Sequence, residues 1–419
     1  MVIFSRDSLC RWFNLGARSS SQRNQKMVIM RYLKSIFLFM LLISVLFLFR
    51  VCFKNNFNSK VRILNDYCDL SGYYLKGLWY PLKKVPYKEV LSEYPQLATC
   101  LFALPHILLS FAYGSDYHKR EYYLVFSAIM VIFLFATVMI LYSLRNRNKY
   151  FAFLMFLPAS LYFSYNRYDV FPAFLSILSI KLLSKEKYGL AVFVLALGVL
   201  AKWYCILLLP IFLNFYYSRY KKINLGMIYL FCLTIFLGIL PTLLSGGIKA
   251  FLVPYRFHMM RGCNQESLLY LLGLTLNSKL WFYIFFVLQF LILPFSAISK
   301  IYSLQKVVSW AALSIFVFML FNKFFSPQWI LWVLPFLILR AQNRKDVFLI
   351  VLFDLITYLY FPVIYDGFRF LLVPICAIKT VIILYFIVTL FKEVVPDIDI
   401  KNSILKKGNA PPVSKGYLS

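Results

Sequence analysis

The chain has 419 residues, of which 62% are hydrophobic and only 15% charged. A soluble domain cannot place that much apolar surface, so the sequence reads as an all-α, polytopic membrane protein. The formal net charge of +29 does not indicate a nucleic-acid partner. The basic residues stand in short segments between apolar runs, as cytoplasmic loops require, where they also suit anionic membrane lipids.

Taken in order, residues 1–34 are polar and basic and read as a cytoplasmic tail. The apolar run that follows lacks a small-residue cleavage site, and Met27 stands as an alternative start. A membrane domain is predicted over 35–391. Its spans fall at roughly 35–53, 121–143, 149–165, 169–183, 187–201, 203–218, 223–243, 279–297, 307–322, 328–340, 346–362 and 367–391, a bundle of about 12 transmembrane helices. Several are shorter than the ~20 residues that cross a bilayer upright. Residues 392–419 form a polar tail. Aromatics reach 20%, which suits interfacial belts and a groove for lipid or sugar.

Between the first two spans lies a long loop, 54–120, with four acids: Asp66, Asp69, Glu89 and Glu93. The moderately apolar stretch 96–113 within it is expected to lie at the outer interface. With that choice both termini and the clusters at Arg145/Arg147/Lys149, Lys185/Lys187, Arg219/Lys221/Lys222, Lys300/Lys306 and Arg340/Arg344/Lys345 all fall in the cytoplasm of a cell-membrane protein. The same parity puts five polar clusters outside with the first loop: 166–169, 202–204, 258–267, 322–328 and 365–367. Polar residues beside apolar spans are costly and usually functional.

Each cluster has a chemical and a bland reading. A carboxylate at Asp66 or Asp69 could take a proton from an acceptor hydroxyl; three apart, the pair could instead cap a short interfacial helix. Arg167 and Asp169 stand at the mouth of a span. They either neutralise each other locally, or Arg167 meets a phosphate while Asp169 orients a substrate hydroxyl. Arg256, His258 and Arg261 share one outer segment that suits a phosphate leaving group, since Arg holds it at two points. The bland alternative is a solvated loop whose Glu266 caps the next helix. Lys202 and Lys323 serve the same anion or simply snorkel. Asp354 lies inside an apolar run, which makes it a site candidate by default or the partner of a polar group on a neighbouring helix. The sequence has no Gly-rich phosphate loop, His/Cys metal set or Ser-His-Asp order, so neither a metal nor a cofactor is expected. A sugar donor would be lipid-linked.

Several motifs recur in a fixed order: Asp69-Leu-Ser-Gly-Tyr73, Gly77, Pro86-Tyr87 and Glu93-Tyr94-Pro95; Arg167-Tyr168-Asp169-Val-Phe-Pro172; Ala201-Lys202-Trp203-Tyr204 ahead of Leu209-Pro210; Arg261-Gly262 with Glu266-Ser267; and Phe325-Ser326-Pro327-Gln328-Trp329 with Trp332 and Pro335. In this set the chain resembles the GT-C superfamily of integral-membrane glycosyltransferases, nearest to the polyprenol-phosphate-mannose-dependent α-mannosyltransferases of bacteria and archaea (glycosyltransferase family 87-like). Gln96 and Tyr204 depart from that pattern, which often has Pro at both places. The resemblance implies a GT-C-like helical bundle with a long first extracytoplasmic loop, a polyprenyl-phosphate sugar donor, a lipid or glycan acceptor, inversion at the anomeric carbon, and Asp69 as general base with Asp66 in reserve. It also brings Gln328 into the substrate site, and mannose as the sugar. Two other functions compete. A transporter or flippase of lipid-linked glycans would place its key charges at mid-membrane, and an inactive partner subunit would need no base.

Overall fold

The helices start and stop where the sequence dictates. Pro158, Pro210 and Pro254 stand in first turns, where the missing N–H has no partner to lose. Asn224, Ser267, Ser303 and Asn343 cap the next helix with a side-chain oxygen on a backbone N–H. The computed structural model describes residues 66–114, 116–273, 279–365 and 368–394, all within one compact unit. In chain order the helices are α1 (Tyr67–Gly77), α2 (Gln96–Tyr113), α3 (Lys119–Leu144), α4 (Pro158–Asn166), α5 (Val170–Ser184), α6 (Tyr188–Ala201), α7 (Leu209–Tyr220), α8 (Leu225–Phe251), α9 (Val253–Met260), α10 (Leu268–Leu271), α11 (Lys279–Leu288), α12 (Ile292–Ile298), α13 (Leu304–Phe321), α14 (Ile330–Arg340), α15 (Arg344–Tyr358) and α16 (Leu372–Val394). No strand occurs among the described residues.

The chain is a helical membrane protein, but the expected span list needs correction. Among the described residues seven helical stretches are long and apolar enough to cross a membrane: Gln96–Tyr113, Lys119–Leu144, Leu225–Met260, Leu280–Ile298, Leu304–Phe321, Arg344–Ile364 and Leu372–Val394. Three apolar helices are shorter: Val170–Ser184, Tyr188–Ala201 and Pro327–Arg340. The predicted spans 149–165 and 203–218 each break into a 3-10 segment (Lys149–Phe156, Trp203–Leu208) and a short helix. Pro158 and Pro210 stand at the breaks and cannot continue the helical ladder. The predicted first span, most of both tails and loop residues 54–65 lie outside the described residues.

The rest of the loop is not open coil. Gly77 lets α1 cross tightly over α2: a Cβ there would lie 2.1 Å from the Phe102 carbonyl oxygen. Where an interfacial segment is expected, α2 is long and apolar enough to cross a membrane. His106 Nδ1 lies 2.8 Å from the Tyr117 hydroxyl, and the Tyr122 hydroxyl donates to the Phe102 carbonyl at 2.9 Å. Thus α2 packs along the first third of α3. Ser127 Oγ donates to the Tyr165 carbonyl at 3.0 Å, which brings the end of α4 to that same level.

The basic clusters 145–149 and 340–345 meet at another part of the bundle, and two of their cations act as clamps. Arg145 is buried and donates to the carbonyls of Ile338 and Ala341, satisfying the C-terminus of α14. Glu393 accepts from Arg340 Nε (2.8 Å) and Ser309 Oγ (2.6 Å), pinning α16 to α13 and α14. Asp354 finds its partner on another helix, as one of its two readings required. Its carboxylate accepts from the Ala159 N–H at 2.8 Å, the Ser160 N–H at 3.0 Å and the Ser160 hydroxyl. It caps α4 from α15, where no water can do so.

Candidate functional site

Four helix ends meet in one cluster, and each carries the charge that its dipole favours. Asp66 and Asp169 stand at the N-termini of α1 and α5; Arg167 and Lys202 stand at the C-termini of α4 and α6. The local Arg167–Asp169 pair does not form. Arg167 bridges Asp66 and Asp69 instead. Asp169 accepts from Lys202 Nζ at 2.8 Å and from Trp332 Nε1 at 2.7 Å. The capping reading of the first pair is also corrected: Asp66 occupies the N-cap position of α1 without a side-chain cap bond. Its own N–H is held by Asn166 Oδ1 at 3.1 Å.

Exposure separates the three acids. The side chain of Asp69 is 31% exposed, against 1% for Asp66 and 0% for Asp169. Of these three, only Asp69 is part-exposed while it sits beside a cation. Asp169 is locked, though its Oδ2 has no hydrogen-bond partner among the described residues. Lys202 lies over the rings of Tyr168 (4.3 Å) and Trp332 (5.3 Å), so it packs inward and does not snorkel. Burial lowers its pKa from the ordinary lysine value, while the facing Asp169 works against that shift.

Aromatic rings wall the cluster. Tyr73 stacks on Phe102 (4.6 Å between centroids) and meets Tyr168 and Tyr94 edge-on. Burial pushes the phenols of Tyr73, Tyr94 and Tyr168 well above their ordinary pKa, so these rings stay neutral. Trp332 is sandwiched between Tyr204 (4.4 Å) and Trp329 (4.5 Å), which fixes the indole N–H that Asp169 uses.

A second set of predicted residues borders this core. His258 Nε2 donates to the Glu93 carbonyl at 3.1 Å, and Lys76 pairs with Glu93 at 3.2 Å. These contacts tie α9 to the first loop. The Arg261 guanidinium lies 3.3 Å above the Phe324 ring. That face is taken, and among the described residues its N–H edge makes no hydrogen bond, an arrangement able to make a two-point contact with an anion. Lys323 Nζ donates to the Met259 carbonyl at 2.8 Å. Asn264 makes paired bonds to the backbone of Phe325, and Gln328 accepts from Ser326 Oγ. Arg256 is exposed on α9 and is not drawn into the cluster. Glu266 does not cap the following helix, because Ser267 does so; it reaches Lys379 Nζ at 3.6 Å. Residues 366–367 of the fifth cluster lie outside the described residues.

No family model matches the chain, and no curated protein matches it. Among the described residues no group of three His, Cys, Asp or Glu side chains could hold a metal ion.

Reading the sequence missed two partners. Trp332 stands in a motif, but its indole N–H becomes a ligand of Asp169 only when α14 folds against α5. Lys379 is the sole charge in the apolar run from Leu371 to Leu390, a signal of the kind that singles out Asp354.

Proposed function

We propose that the protein is a membrane glycosyltransferase. It moves a hexose, mannose by the resemblance, from a polyprenyl-phosphate-linked donor to a lipid or glycan acceptor on the extracytoplasmic side. The observation that carries this proposal is a part-exposed carboxylate, Asp69, that Arg167 holds beside the buried Asp66. Asp69 takes the proton of the acceptor hydroxyl. The oxygen attacks C1 of the sugar from the face opposite the phosphate, the C1–O bond to phosphate breaks, and polyprenyl phosphate leaves with the electron pair. The configuration inverts. Arg261, whose guanidinium is stacked on Phe324, meets the phosphate. Arg167, with two carboxylates to hold, positions the base instead. Asp169, fully buried, holds Lys202 and Trp332 in place beside the site.

The flippase alternative draws on charges at mid-membrane. Asp354, the mid-span acid of the sequence, is used as a helix cap, which favours the transferase over that alternative. The test is transfer of labelled sugar from polyprenyl-phosphate mannose by purified protein. Asp69→Asn should lower turnover about 10²–10⁴-fold, the worth of a general base, with donor binding and elution profile intact. Asp66→Asn should cost less. Near-wild-type turnover in both variants would remove the first loop from the chemistry.

A further inference from the structure

Lys379 lies in the first half of the membrane span α16 and is fully buried. Its ammonium sits 3.8 Å from the centre of the Phe325 ring and 4.8 Å from that of Tyr360. At 3.6 Å from Glu266 Oε2 it is paired by charge but too far for a hydrogen bond. Neither atom has a hydrogen-bond partner among the described residues. Methionine would fill this site without the cost of burying an ion, so stability is a poor account of the lysine.

Its neighbours suggest another. Glu266 and Phe325 belong to two segments that are zipped together. Asn264 pairs with the Phe325 backbone, Lys323 holds the Met259 carbonyl, and Arg261 stacks on Phe324. Lys379 contacts both segments from a membrane span, Glu266 by charge and the Phe325 ring by its ammonium. Cation–ring contact and ion pair act together there, and both strengthen in an apolar interior.

We infer that Lys379 is a positioning residue: through Glu266 and Phe325 it fixes the 259–267 and 322–328 segments over the site, so that Arg261 is held where the donor's phosphate arrives. The phosphate in this statement rests on the transferase proposal; the positioning does not. Lys379→Met should therefore raise the donor KM about tenfold with little change in kcat, the pattern of lost binding. In an Arg261→Ala background the same change should add almost nothing, because the two residues act in series.

A second readout needs no substrate. Cys263 lies between Arg261 and Glu266 and is partly exposed. Its alkylation by an impermeant maleimide, followed on the Cys263 peptide by mass spectrometry, should quicken several-fold in Lys379→Met. Lys379→Met with Glu266→Gln removes both charges, which should restore the unfolding midpoint but neither the KM nor the slow alkylation. Lys379→Arg, which keeps the charge, should hold both near wild type. Wild-type alkylation in Lys379→Met, or a wild-type KM in the doubly neutral variant, overturns the inference. A wild-type protein that transfers no sugar sinks the transferase proposal and leaves Cys263 labelling to decide this one.

Discussion

Replacing Asp354 by Ala tests whether this mid-membrane acid is a cap or a functional charge. The change leaves the N–H groups of Ala159 and Ser160 and the Ser160 hydroxyl without their acceptor. The hydroxyl can turn to another oxygen, but the two amides are fixed by α4. Each stranded donor costs roughly 1–3 kcal/mol, a gross loss of about 2–6. Removing a buried carboxylate returns part of that, so the net loss should be about 2–4 kcal/mol. At roughly 2 °C per kcal/mol for a long chain, the unfolding midpoint should fall by about 4–8 °C. Asp354→Asn keeps one accepting oxygen and should lose about half as much. Transfer should also fall, because α4 carries Asn166 and leads directly into Arg167. The assay is tryptophan fluorescence in detergent at one fixed heating rate, since such chains unfold irreversibly. An unchanged midpoint in the Ala variant together with abolished activity would refute the capping argument and return Asp354 to the list of functional charges.

Two further outcomes follow from the packing. Gly77→Ala puts a methyl 2.1 Å from the Phe102 carbonyl oxygen and 2.8 Å from His106; α1 must move away. Overpacking of this kind costs about 1–3 kcal/mol, and because α1 carries Asp69, sugar transfer should fall further than the fraction of folded protein, as measured by monodisperse elution. In a background without other reactive cysteines, Lys84→Cys and Gly262→Cys should react with an impermeant thiol reagent from the outer side and Gln342→Cys from the cytoplasmic side. Labelling of Lys84→Cys and Gly262→Cys from opposite sides would break up the single site.

Much of this protein can be read from its sequence, and the reason is the solvent. An apolar run in lipid must satisfy every backbone group internally, so hydropathy alone predicts helices. Proline and capping residues then mark where they stop. The polar clusters at 166–169, 202–204, 258–267 and 322–328 are likewise visible, because charges beside apolar spans have few reasons to exist. Pairing is another matter. Arg167 and Asp169 are two residues apart, yet Arg167 bonds acids about a hundred residues earlier, and Asp169 bonds Lys202 and Trp332. Side chains two apart at a helix junction point in different directions, and which distant helix end each one meets is set by packing. The same holds for Asp354, whose partner is the start of α4, and for Lys379, whose partners lie in the 259–267 and 322–328 segments. Composition and periodicity determined the membrane, the helices and the residues worth watching. Tertiary structure alone decided which carboxylate stays part-exposed and which charges serve only to hold helix ends in place.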